Sequence, residues 1–406
     1  MNSTFFECPI SKALNCLGLF TEEEKDENIV ILNTLANHAV DWDQLIPKNH
    51  YLSSESCLAN EKSYPKNIKA LYAIIYKDKK PVFCSKFQDV RITSENIRKH
   101  KRGEFVRIAT NLVLNIYELN LLVCGNVFKD GLTGFYYDHS VFNIEEANAA
   151  LLKAIEKITR KECFSGVMLK DVPNGFGFAN DNRNFSFDND ISMNMDILPE
   201  WNSLEDYQKD LSKKYAARAK KILLSASEVI VRDFPLSDIL NYTSELHNLY
   251  KQIIKHQSFV FGTLEENYFE EMKKAFPHSY SVKGMFLDNK LVGFYSTFEN
   301  TNELEVHYVG IDYTFNSSHN LYFLIHFLTL KEAIEKRKSY LNMGRTSLEA
   351  KAILGCLPKY NNTFIHFLNP LAEKAFHYFK QNLSESDNWK TRNPLKVGGK
   401  LEEAVV

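Results

Sequence analysis

The chain has 406 residues, enough for two domains or one large one with an ample core. Hydrophobic residues make up 44% and charged ones 25%, the balance of an ordinary globular protein. Lys and Arg number 49 against 51 Asp and Glu, a net charge of −2, which excludes global attraction to nucleic acid and leaves only local patches for such contacts.

The seven cysteines are scattered, with no C-x-x-C pair. They read as reduced thiols, and no metal site is expected. Met1 to Glu7 lacks the basic start and apolar core of a signal peptide, and no apolar run reaches the ~18 residues that span a bilayer. The expectation is a cytoplasmic protein without a transmembrane segment.

Residues 1–28 read as a lead-in that closes on an acidic run. Asn28 to Leu32 is a candidate strand. Tyr51 to Glu61 reads as a helix capped by Ser53 or Ser54. Lys69–Tyr76 and Pro81–Gln88 flank the polar turn Lys77-Asp-Lys-Lys80 and predict a hairpin. A charged linker over 91–102, a helix over 106–117 and a strand over 120–125 follow. From Phe142 to Lys161, Ala147, Ala150, Leu151, Ala154, Ile155 and Ile158 fall at spacings of three and four, one stripe of an amphipathic helix. Gly166 to Asp171 is the next strand. Asn174-Gly-Phe-Gly-Phe178 reads as a plain turn, since no helix opens after it.

Residues 186–202 read as a join between halves. Ser203-x-x-Asp206 predicts a capping box opening a helix from Leu204 to about Leu224, rich in Lys and Arg. Further helices are expected over 236–255 and 267–276, then a hairpin over 283–296 turning at Asp288-Asn289. A strand over Glu303–Asp312 follows, then a polar loop over 313–320 and an apolar helix over 321–336. The last expected strand, 339–343, leads into the glycine-bounded segment 344–355.

Strand, loop, helix, strand and glycine in that order resemble the GNAT-like acyltransferase domain, and Leu291-Val-Gly293-Phe resembles its strand pair. Ala350-Lys351-Ala-Ile-Leu354-Gly355 stands where the similar Fem-type aminoacyl transferases carry Phe-Lys-x-x-Phe-Gly. Leu211-Ser-Lys-Lys-Tyr-x-x-Arg218 is similar to the opening of the family's acyltransferase domain. The resemblance implies an α/β fold of two GNAT-like half-domains, each a mixed, mostly antiparallel sheet flanked by helices. Domains are expected over 29–195 and 196–382, with a tail over 383–406.

It further implies transfer of an acyl group from a coenzyme A thioester to an amine, as in a bacterial N-acetyltransferase. The alternatives are Fem-type transfer from aminoacyl-tRNA, or from acyl-carrier protein, onto a lipid or peptidoglycan precursor, or a binding protein without catalysis. Acyl transfer needs a base for the amine, a donor to the developing oxyanion and a grip on the carrier. Glu303, Glu305 and His307 alternate along one strand and so share a face, which makes Glu305 or His307 a candidate base. A solvated strand face is the alternative. Tyr308 is expected on the opposite face, in the core. The family implies a role for Lys351 at the transfer site. Arg345, at a strand end, and Lys214 and Arg218, on the basic helix, are candidates for the carrier's phosphates. The glycine-rich pyrophosphate loop of GNAT enzymes is missing from 313–320, where Ser317 and Ser318 are the remaining candidates.

Overall fold

The computed structural model describes residues 28–48, 50–97, 119–176, 186–368, 370, 373–374 and 389–396. The lead-in up to residue 27 and the expected helix over 106–117 lie outside the described residues. In chain order the elements begin with β1 (Ile29–Leu32), α1 (Ala39–Leu45), α2 (Ser54–Ser63), β2 (Ile68–Lys77) and β3 (Lys80–Ile92). Next come β4 (Leu119–Cys124), β5 (Phe135–Tyr137), α3 (Ile144–Lys161), β6 (Gly166–Val172) and β7 (Ser186–Asp196). Then follow α4 (Leu204–Asp210), α5 (Lys213–Ser225), β8 (Ile230–Asp233), α6 (Leu236–Asn241), α7 (Thr243–Ile254) and α8 (Tyr268–Ala275). The last are β9 (Tyr280–Leu287), β10 (Lys290–Glu299), β11 (Glu303–Ile311), α9 (Tyr313–His319), α10 (Leu321–Glu335), β12 (Tyr340–Asn342), α11 (Leu348–Ala352) and β13 (Leu357–Phe367).

The chain forms two compact units, one of Met1–Asn189, Ser258–Leu264 and Asn361–Ser384, the other of Asp190–Gln257, Glu265–Tyr360 and Glu385–Val406. In the first, the strands run in the order β1-β2-β3-β4-β6-β13, with β5 also on β3. Every neighbouring pair is antiparallel except β4 and β6. In the second the order is β7-β12-β11-β10-β9-β8, and the parallel pair is β11 with β12. Each unit is thus a mixed, mostly antiparallel α/β layer whose one parallel step needs a crossover helix. That helix is α3 in the first unit and α10 in the second.

Local chemistry explains the elements. Both hairpins turn through two residues with positive φ, Asp78 and Lys79 at 51° and 64° and Asp288 and Asn289 at 47° and 64°, the twist-matched connection of adjacent strands. Ser53 caps α2 by accepting from the Ser56 amide. Asn143 and Glu146 exchange side-chain and backbone bonds of 2.9 Å at the start of α3, and its whole expected stripe is buried.

Several expectations are corrected. The helix expected over 204–224 is two helices, because Leu211 bridges Leu395 while the Ser212 amide donates to the Pro394 carbonyl and the Lys396 amide to that of Asp210. Residues 389–396 therefore pack on the second unit, with Trp389 and Leu395 against its core. Ser203 makes no cap bond to a helix amide; its hydroxyl donates to Asp206 Oδ2 at 3.1 Å. The expected 236–255 helix breaks at Tyr242, and the polar loop over 313–320 is the short helix α9. The join over 186–202 contains β7, and β13 was not anticipated. Cys57, Cys84, Cys124 and Cys356 are free and buried, but Cys163 is disulfide-bonded.

Among the described residues, no helix is long and apolar enough to cross a membrane, and no group of His, Cys, Asp and Glu is placed to hold a metal ion.

Gly310, on β11, lies under α7: a Cβ there would overlap the Phe294 ring and come within 2.8 Å of the Leu249 backbone carbon. Gly310→Ala is expected to destabilise the second unit by about 1–3 kcal/mol through overpacking, read as a lower urea midpoint.

Candidate active site

β11 and β12 pair at Glu303↔Tyr340, Leu304↔Leu341 and Glu305↔Asn342, and there the parallel pairing ends. β11 continues to Ile311 along β10, whereas the chain after β12 turns at Gly344, whose φ of 75° suits glycine. The Gly344 amide donates to Asn342 Oδ1 at 2.9 Å, and its carbonyl accepts from Met193 N at 3.0 Å. The two parallel strands thus fork directly after Glu305.

Beyond the fork β11 is bulged. The register passes from Thr297↔Val306 to Tyr295↔Val309, so two steps on β10 face three on β11. Ser296 fills the irregularity: its hydroxyl accepts from the Tyr308 amide at 3.0 Å and donates to the Tyr308 carbonyl at 3.3 Å. His307 is partly exposed although its side chain is only 1% exposed, so the exposed part is backbone. The bulge also overturns the alternation expected for Tyr308. His307 and Tyr308 both contact the Tyr268 ring, with centroids at 5.8 and 5.7 Å.

Glu305 and His307 do come together, but inside the unit. Glu305 is 5% exposed, and its Oε1 lies 3.6 Å from His307 Nδ1. On the other side of the ring, Nε2 lies 2.6 Å from the Tyr268 hydroxyl. A phenol donating to Nε2 leaves the imidazole proton on Nδ1, facing the carboxylate. The rings of Phe298, at 4.9 Å, and Tyr280, at 6.0 Å, enclose the imidazole. Carboxylate, imidazole and phenol therefore stand in line. Tyr268 escaped the sequence reading, because a tyrosine at a helix start 39 residues upstream of His307 carries no local signal of this role.

Lys351 is on α11, which follows Ser347, a residue in the left-handed region with φ 56°. It is 2% exposed, and its ammonium donates to the Gly344 carbonyl at 3.1 Å, on the β12 side of the fork. Beside it stands His326 of α10, which packs over β11 and β12. Neither His326 ring nitrogen has a hydrogen-bond partner, and the Tyr322 ring meets its imidazole edge-on at 4.6 Å. Burial first, and the Lys351 charge second, push the His326 pKa down to about 3. His326 escaped the sequence reading, although a lone histidine within the apolar 321–336 helix could have marked it.

The other candidates are dispersed. Arg345 pairs with Asp190 of β7. Ser317 and Ser318 are exposed on α9, and the Ser318 hydroxyl lies 3.1 Å from the Phe315 carbonyl and 2.8 Å from His319 Nδ1. Lys214 and Arg218 are exposed on α5; Lys214 lies over Tyr215 at 5.8 Å and Arg218 over Phe323 at 5.0 Å, in the first turn of α10. A cavity of about 480 Å³ at the end of β11 is lined by Lys251, Lys255, His256 and Tyr313, the last two stacked at 4.0 Å.

No family model and no curated protein sequence matches the chain. Among solved structures it is similar to FemX, with a TM-score of 0.48 and 12% identity over 85% of this chain and 99% of that one. It is similar to a tandem GNAT protein from the clavulanic acid biosynthesis pathway, with a TM-score of 0.48 and 10% identity over 84% and 98% of the two chains. A GCN5-related N-acetyltransferase from Kribbella flavida gives 0.45 and 8% over 85% and 73%. These are likenesses of shape, and no residue role is taken from them.

His326 sets a pH dependence. Its folded pKa lies below the ordinary 6.5, so the unfolded chain binds a proton that the folded one refuses between those values. Its contribution to stability is present in full above pH 6.5 and is lost as pH falls toward about 3. The loss is on the order of several kcal/mol. His326→Phe is expected to flatten that part of the stability profile, measured by urea unfolding at stepped pH.

Proposed function

We propose that the second unit transfers an acyl group to an amine at the fork between β11 and β12. The observation that carries this reading is the buried line Glu305–His307–Tyr268, ending on the last paired residue before the fork. Burying three such groups in line is costly unless they act together. In the proposed reaction the amine nitrogen attacks the acyl carbonyl, the new C–N bond forms, and the bond to the carrier's sulfur or oxygen breaks. Glu305 takes the amine proton, directly or through a water, and the Nδ1–H of His307 steadies the carboxylate that accepts it. Tyr268 fixes the tautomer. Lys351, cationic and held at Gly344, supplies positive charge for the oxyanion. The carrier's leaving atom takes its proton from solvent. Arg218 and the lysines around the 480 Å³ cavity offer cations for the carrier's phosphates.

One observation favours a donor other than coenzyme A. The segment that would hold a pyrophosphate loop is helix α9, and the Tyr322 amide in the first turn of α10 is already bonded to Asn316 Oδ1 at 3.0 Å. A carrier gripped elsewhere, such as aminoacyl-tRNA delivering to a lipid or cell-wall amine, suits that arrangement better than a nucleotide seated there. Thermal shift with coenzyme A against salt-dependent binding of tRNA separates the two donors.

With a donor in hand, Glu305→Gln is expected to lower turnover by ~10²–10⁴-fold at near-normal stability. Lys351→Met, which keeps the apolar stem, is expected to lose ~2–4 kcal/mol of transition-state stabilisation. Full activity in both variants would end the proposal.

A further inference from the structure

On α5 the charge of the helix is left without counter-charge. Lys213, Lys214, Arg218, Lys220 and Lys221 are all exposed, and the only other exposed residues of the helix are Ala217 and Leu224. At about 100° per residue the exposed positions fall within one arc of roughly 160°. No acidic residue occurs from Leu211 to Ser227, and Asp210, just before, accepts from Trp201 Nε1 at 2.7 Å. Among the described residues none of the five cations forms a salt bridge. Other helices behave differently: on α3, α4, α8 and α10, a Lys or Arg pairs with an acid three or four residues away. Lys396, whose ammonium donates to the Lys209 carbonyl at 2.5 Å, adds a cation beside the start of α5.

Arg218 stands four residues from Lys214 and three from Lys221, spacings at which like charges repel and weaken a helix. Contact with a polyanionic surface removes that cost. Two features point to lipid rather than nucleic acid as the surface. Leu224, on the same arc, is 70% exposed, and Ile230, at the start of β8, is 56% exposed. A leucine among lysines is what an interfacial helix sinks below lipid headgroups. The arc also offers no aromatic ring on which a base could stack, since Tyr215 is half-buried.

We propose that α5 docks flat on an anionic lipid surface. Its ammonium and guanidinium groups lie among the headgroup phosphates, and Leu224 enters the acyl boundary. The buried Ala219 and Ile222 hold the opposite face of the helix to the core. The docking uses no step of acyl transfer and holds whether or not the fork is an active site.

The test is sedimentation of the full chain with phosphatidylcholine vesicles, with and without about one-third phosphatidylglycerol, in about 0.1 M salt. Binding to the anionic vesicles alone is expected, weakening as salt rises. Changing Lys213, Lys214, Lys220 and Lys221 together to Gln, with Arg218 left in place, is expected to lower the partition coefficient at least about hundredfold. Leu224→Ser is expected to lower it about threefold to tenfold at unchanged net charge. Both variants change exposed positions and are expected to melt with the parent. Were the fourfold variant not to fold, Lys220→Gln with Lys221→Gln should still cost at least about tenfold. No binding to anionic vesicles, unchanged partition in the lysine variants, or equal binding to neutral vesicles would overturn the proposal. Binding of polyuridylate at the same salt, with Leu224→Ser without effect on either ligand, would overturn it too and assign the face to nucleic acid.

Discussion

The second unit depends on the place where β11 stops being a regular strand. Up to Glu305 it is held on both sides, by β10 and by β12; after Glu305 it keeps only β10. Two residues later it takes in an extra residue, and Ser296 satisfies both backbone groups of Tyr308 at that point. The bulge turns His307 and Tyr308 toward the same helix residue, Tyr268, and leaves the His307 backbone exposed. His307 and Tyr308 share this origin: remove the extra residue and the alternation of an ordinary strand would send them apart.

Polar groups buried in the second unit are expensive, and the structure reduces the cost by two means. The Tyr268 hydroxyl pairs with His307 Nε2 at 2.6 Å, and Glu305 lies 3.6 Å from the other ring nitrogen. Lys351 finds a backbone carbonyl at Gly344. His326 is the exception, held neutral with neither ring nitrogen bonded.

Much of this was legible in the sequence where one physical signal dominated. Asp-Lys and Asp-Asn turns marked both hairpins, a stripe at helical spacing marked α3, and the alternation of Glu305 and His307 brought those two together. The misses have physical reasons. β7 alternates Ile191, Met193 and Met195 inward, yet its Asp and Asn content masked a strand signal that burial confers. β13 opens on Leu357-Pro358 and carries paired Asn361-Asn362, which read as loop. The break in the basic helix is imposed by residues 394–396, nearly two hundred positions away, and no local propensity encodes it. Tyr268 joined the site by tertiary packing alone.

The most direct measurement of the central claim is a crystal structure with a stable acyl-donor analogue, prepared in parallel from an acyl coenzyme A amide and a 3′-aminoacylamide adenosine. The account predicts that one of them binds with its carbonyl in the fork between β11 and β12, against the His307 backbone and within reach of Glu305. Electron density for the analogue anywhere else in the second unit, with the fork empty, would contradict it.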